Sequence, residues 1–211
     1  LIVNWPEQLE TWLLDHHVCD DGAHDLSHFR RVWRTAQELN AEEGHRADTE
    51  VLVAAAYLHD IVALRKDHPQ RHTSSRLAAA KAAEILAELH FPEAKISAVR
   101  HAIEAHSFSA KIAPETLEAR IIQDADRMEA LGAIGLARVF YTSGRMQREL
   151  FDPVDPLAKN RPLDDIRFGL DHFFVKLYTL VDTMQTQAGR HLAEARRAVL
   201  ERYVEDLLRE L

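Results

Sequence analysis

The chain has 211 residues, 46% hydrophobic and 28% charged, which fits one globular domain large enough to bury a core. A formal net charge of -8 argues against broad electrostatic binding of nucleic acid, leaving room only for a local basic pocket, and the single cysteine, Cys19, excludes an intramolecular disulfide framework. No apolar run approaches membrane-spanning length, and the start lacks a basic stretch followed by a long apolar one, so a reducing, cytoplasmic setting is the expectation.

Helical periodicity runs through most of the chain, and no segment alternates as a strand does. A first helix is predicted from Asn4 to about Asp20, with Leu9, Trp12 and Leu13 facing inward. After the polar break Asp20-Asp21-Gly22, a second carries Phe29, Val32, Trp33, Ala36 and Leu39 and stops near Gly44. A third, capped by Asp48 or Thr49, is apolar almost all round from Val51 to Leu64, the mark of a central buried helix. A polar loop, Arg65 to Arg71, then leads to an Ala-rich helix from Thr73 to Leu89. Helices at about Glu93 to Ser107 and Pro114 to Leu131 follow, with helical character continuing through Phe140. Residues 151–162 hold three prolines and read as a surface loop, before two C-terminal helices at about Asp164 to Met184 and Gln187 to Glu210. No internal repeat or composition shift divides the chain. The expectation is an all-α, single-domain helical bundle over residues 1–211, with a site-bearing core at about 22–131 and C-terminal helices at about 164–210 packing on it.

Within these helices stand His28, the doublet His59-Asp60, and Asp126, each in or beside an apolar stretch where an unpaired polar group is costly to bury. Either four polar groups each find a separate partner, or imidazoles and carboxylates from different helices converge on one divalent cation. The second alternative explains all four at once. Adjacent residues on a helix point about 100° apart, so His59 and Asp60 can still reach one ion lying over the groove between them. Two His and two Asp leave positions open on a six-coordinate ion, and the mixed nitrogen and oxygen set suits Mn, Fe, Co or Ni better than Mg. No nucleophile elbow, phosphate-binding glycine loop, dinucleotide fingerprint or His-Glu-x-x-His helix competes with this site.

Three strings carry a resemblance: Asp25-Leu26-Ser27-His28-Phe29-Arg30-Arg31-Val32, Ala56-Tyr57-Leu58-His59-Asp60-Ile61-Val62, and Gln123-Asp124-Ala125-Asp126-Arg127-Met128. In this order, the chain resembles the HD superfamily of metal-dependent phosphohydrolases, and within it the small single-domain bacterial members, whose C-terminal helix is matched by Asp171-His172-Phe173-Phe174-Val175-Lys176-Leu177. The resemblance implies hydrolysis of nucleotides or related phosphate compounds by a metal-activated water. His28, His59, Asp60 and Asp126 are the implied ligands of a divalent ion (Mn, Ni, Co, Fe or Mg). Asp124 is the other candidate for the last ligand; the Ala-Asp-x-Leu-like string of related domains selects Asp126 and leaves Asp124 beside the metal or on the substrate side. Asp60, Asp124 and His106 are the candidates to orient water or move its proton. Arg31, Arg127, His172 and Lys176 are candidates for phosphate contact, since guanidinium forks match phosphate oxygens and Lys offers a point charge. His172 and Lys176 share a helix face at i,i+4. His24, one turn before His28, is a further residue beside the metal or simply an exposed one. Two rival readings accompany this one: a di-iron oxygenase, which needs His101 or His106 as added ligands, and a non-catalytic helical domain that binds a nucleotide or a partner.

Overall fold

Helices dominate because apolar residues recur at helical spacing, and Asp25, Asp48 and Thr186 cap the starts of three of them with their side chains. The computed structural model describes residues 3–16, 25–64 and 68–211, and the chain forms two compact units, Leu1–Asp126 and Arg127–Leu211. The fold is all-α: among the described residues the one strand-like pairing is an isolated bridge between Glu149 and Phe168. Cys19, His24 and the Arg65-Lys66-Asp67 part of the predicted loop lie outside the described residues.

In the first unit, α1 (Trp5–His16) buries Trp5, Leu9 and Leu13, spaced four apart on one stripe. α2 (Leu26–Glu42) starts at Asp25, whose carboxylate accepts the His28 N–H at 3.0 Å, and ends before Gly44 at φ +79°, where glycine carries no Cβ penalty. α3 (Thr49–Leu58) is capped by the Asp48 carboxylate and is buried at every position from Val51 to Leu58. It packs against α1, α2 and α5, the central place its sequence predicts. It ends at Leu58, not Leu64. The His59 ring takes the Ala56 carbonyl and Ile61 N–H turns back to Leu58 at 3.2 Å, so the helix closes at the His59-Asp60 doublet.

After a single 3-10 turn at Arg71–Thr73, α4 (Ser74–Glu88) lays Ala78, Ala79 and Ala82 against α5 (Glu93–His106), small side chains permitting close packing. α6 (Leu117–Arg127) is tied to α5 by Gln123 and to the start of α3 by Glu118, which accepts the Asp48 N–H at 2.8 Å. The helix predicted to run to Leu131 stops at Arg127. A 3-10 turn spans Met128–Ala130, Leu131 is extended, and Gly132 sits at φ +66°.

In the second unit, α7 (Gly132–Arg145) outlasts its predicted end at Phe140. A Cβ on Gly135 would stand 2.3 Å from the Ala130 backbone, so this helix start depends on glycine. The predicted helix from Asp164 to Met184 does not form as such. Asp164 Oδ1 instead accepts the amides of Ile166 and Arg167, a local bond that competes with helix. The chain then passes through one π turn (Phe173–Leu177) and a 3-10 turn (Tyr178–Thr183). α8 (Gln187–Glu210), capped by Thr186, is the one long C-terminal helix. Phe140, Phe173 and Tyr203 meet with ring centroids 5.6 to 6.1 Å apart, in a core shared with Met128, Leu131, Leu177 and Leu200. No helix among the described residues is long and apolar enough to cross a membrane.

Candidate metal centre

The first unit brings His28, His59, Asp60 and Asp126 together from the first turn of α2, the end of α3 and the end of α6. One donor atom from each lies within 4.8 Å of all the others. His28 Nε2 and His59 Nε2 are 3.1 Å apart; Asp126 Oδ1 is 3.8 Å from the first and 3.6 Å from the second. Asp60 Oδ2 stands 3.6 Å from His59 Nε2 and 4.0 Å from His28 Nε2. Both imidazoles are buried and both carboxylates half-buried.

This donor set fits a divalent ion. Atoms bound at about 2.1 Å to a common centre stand roughly 3.0 Å apart at right angles and roughly 4.2 Å apart when opposed, and the separations among the four fall mostly in that window. The tautomers suit it as well. The last carbonyls of a helix have no partner within the helix, and His59 sits where its Nδ1–H can donate to the Ala56 carbonyl at 2.9 Å, leaving Nε2 with a lone pair toward the cluster. Without a metal, a proton takes the cation's place. Burial opposes charging His59, yet the carboxylates of Asp60 and Asp126 outweigh it and raise its pKa to about 9. Burial likewise works against ionising Asp60 and Asp126, but the surrounding imidazoles hold both carboxyls well below the usual carboxylate range.

His106 stands at the rim of this cluster. Its Nδ1 takes the Ile103 carbonyl at 2.6 Å, repeating at the end of α5 what His59 does at the end of α3. Its Nε2 lies 3.5 Å from Asp60 Oδ1, the oxygen opposite the one facing His28 and His59, and its ring meets that of His59 edge-on. Asp60 therefore faces the two buried imidazoles with one oxygen and His106 with the other.

The remaining predicted residues divide clearly. Of the two aspartates on α6, Asp126 joins the cluster; Asp124, two residues earlier and fully buried, does not belong to it. His101 Nε2 accepts the Glu115 amide at 3.0 Å, an ordinary loop tie. Arg31, half-buried on α2 one turn after His28, donates to Ser27 Oγ at 2.8 Å. Arg127 donates to the Thr183 carbonyl within the second unit. His172, also in the second unit, pairs through Nδ1 with Asp165 at 2.7 Å, and burial lowers its pKa; Lys176 follows it on the π turn. Two supporting residues escape sequence reasoning. Asp25 caps α2 at His28, a legible signal because Asp before an apolar-periodic stretch is a standard helix start. Gln123, buried, donates to the Ala105 carbonyl at 2.6 Å and fixes α6 beside His106; nothing in its sequence context marks it.

An all-α fold in which a His, a His-Asp doublet and a distant Asp converge from three helices defines a class, and residues 25–131 match the HD domain family model. The chain belongs to the HD-domain family, with an HD-superfamily hydrolase fold. Among its relatives, the YpgQ protein of Bacillus subtilis (strain 168) is 29% identical over 209 residues, 97% of this chain and 93% of YpgQ. The crystal structure of YpgQ in complex with ADP superposes with a TM-score of 0.74 at 28% identity, covering 98% of this chain and 95% of that one. An HD-superfamily hydrolase from Bacillus thuringiensis superposes with a TM-score of 0.72 at 31% identity, over 98% of both chains.

Proposed function

We propose that this protein is a metal-dependent phosphohydrolase that acts on nucleotides or related phosphate esters and anhydrides. The observation that carries the reading is the convergence of His28, His59, Asp60 and Asp126 on one point, with His106 against the outer oxygen of Asp60. Those four residues would hold the ion, with Mn, Fe, Co or Ni suited to the mixed donors. When bound, the cation supplies Lewis-acid neutralisation of phosphate charge and makes a water more acidic. The chain's own residues do the rest. Asp60 Oδ1 and His106 Nε2 orient the attacking water and take its proton, His106 being held in place by Ile103. Asp124, fully buried two residues before Asp126 on α6, is the second carboxyl assigned to the site. Arg31, one turn from His28, is the cation in the first unit assigned to substrate phosphate, while Arg127 is given a backbone role by its bond to Thr183. Nucleotides are the preferred class because a relative as similar as YpgQ has been crystallised with ADP.

The test is release of phosphate and pyrophosphate from a nucleotide panel by metal-stripped protein resupplied with Mn, Mg, Co or Ni. Release that requires metal and vanishes in Asp60→Ala is expected. No release from any member, or release unaffected by Asp60→Ala, overturns the reading.

A further inference from the structure

α5 supplies none of the four clustered ligands, yet its end is built differently from those of its neighbours. The last carbonyls of a helix lack partners within it. At the end of α2 the main-chain amides of Glu43, Gly44 and His45 take the carbonyls of Leu39, Ala41 and Asn40. At the end of α4 the amides of Leu89, His90 and Phe91 take those of Ile85, Ala87 and Leu86. Both helices thus close on their own backbone, with His45 and His90 at φ +56°. At the end of α5 the chain leaves directly, Ser107 being extended at φ -77° and ψ 125°. Here the carbonyls of Ile103, Glu104 and Ala105 are taken by side chains from α5, α4 and α6. The His106 ring takes Ile103 at 2.6 Å, Ser75 Oγ donates to Glu104 at 3.0 Å, and Gln123 Nε2 donates to Ala105 at 2.6 Å.

Ser75, His106 and Gln123 are all buried. Such caps do more than satisfy carbonyls, because each ties the helix end to a different neighbour. Ser75 ties it to the first turn of α4, and Gln123 to α6, where Asp126 follows one turn later. Gln123 Oε1 is shut off from solvent with no hydrogen-bond partner among the described residues, so the bond to Ala105 is what accounts for a buried amide there. The collar surrounds one functional group: His106, with Nε2 3.5 Å from Asp60 Oδ1. A ring that must meet a single oxygen tolerates little displacement, since a shift of about 1 Å in a reacting group can cost about a hundredfold in rate.

We propose that Ser75 and Gln123 are positioning residues that hold the His106 ring against the outer oxygen of Asp60; on the hydrolase reading, they act on the reaction only through His106. The experiment measures hydrolysis of a panel of nucleoside mono-, di- and triphosphates, with Mn, by the full-length parent, Gln123→Leu, Ser75→Ala, His106→Ala and each cap variant combined with His106→Ala. Each cap variant is expected to keep its metal in equilibrium dialysis and its KM within about twofold, while kcat falls about tenfold. Added to His106→Ala, either substitution should lower kcat by less than about twofold further, because a residue that acts through another has nothing left to act on. Losses that multiply, an unchanged kcat or a loss of bound metal overturn the proposal and leave the hydrolase standing. A second readout needs no turnover. In metal-stripped, isotope-labelled protein, the His106 ring N–H signal, identified by its absence from His106→Ala, should exchange with water at least about tenfold faster in both cap variants. Unchanged exchange overturns the proposal. If the parent hydrolyses nothing, the hydrolase reading falls, and this exchange alone decides whether the caps hold His106. Circular dichroism checks each variant; if Gln123→Leu does not fold, Ser75→Ala decides.

Discussion

Two clusters of acidic side chains in this molecule solve the cost of burial in opposite ways. In the second unit, Asp171 is completely buried and fully satisfied from within: Arg161 reaches both its oxygens at 2.6 and 2.9 Å, and the Asp164 N–H adds a third bond at 2.7 Å. In the first unit, the ion-pair partners of Asp60 and Asp126 among the described residues are imidazoles, which carry charge only when protonated. A permanent cation built into the chain makes a structural bridge; its absence leaves a place for a cation from solution. The difference between Arg and His as the neighbour separates an internal clasp from a binding site.

The comparison can be broken most sharply at the first cluster. Asp60→Ala or His59→Ala is expected to lower metal affinity by more than about 100-fold, measured by equilibrium dialysis and elemental analysis, with helical content nearly unchanged. Retention of metal by these variants sinks the contrast. Asp171→Ala should do the reverse, lowering the Tm by roughly 10 °C through the loss of a buried, bidentate partner while leaving metal affinity alone. A third test uses pH. Binding a cation displaces the proton that the raised pKa, about 9, keeps on His59, so affinity should climb about tenfold per pH unit from near 6.5 to about 9 and then level.

The metal-free protein should show the opposite trend in thermal melts. His59 contributes stability that is complete below its ordinary value of 6.5 and is lost as pH rises through about 9, whereas Asp60 and Asp126 contribute stability present above 3.8 and lost as pH falls through their depressed values. A flat melt between pH 6.5 and 9 contradicts the assigned electrostatics. The smallest effect is expected at Gln123→Leu, which leaves the Ala105 carbonyl without its donor and should cost about 1 to 3 kcal/mol in chemical unfolding, with metal still bound.

The first unit was far more legible in the sequence than the second, and the reason is the range of the interactions that decide each. The apolar run from Val51 to Leu58 marks α3 as central by composition alone, and a His-Asp doublet at its end is conspicuous against that background. The helix expected over 164–184 failed because Asp164 takes the amides just after it and because earlier residues hold the segment: Arg161 on Asp171, Glu149 on the main chain at 167 and 169. No periodicity encodes those. Between Asp124 and Asp126, spacing alone offers two opposed directions on one helix, and only the packed position of α6 places Asp126 with the histidines. The ring bonds of His59 and His106 to the carbonyls three residues earlier follow from local geometry at helix ends, and become readable once those ends are known.

The ligand cluster also bears on how the chain reaches its native state. His28 and Asp126 stand roughly a hundred residues apart in sequence, and an ion gripped by both would close that whole stretch into one ring. A covalent cross-link over a loop of that length removes disorder from the unfolded chain worth about 5 kcal/mol in chain-entropy terms, and a coordinated ion does so reversibly. The same four side chains would then act as a removable staple, making the endurance of the first unit a function of how much metal its surroundings supply.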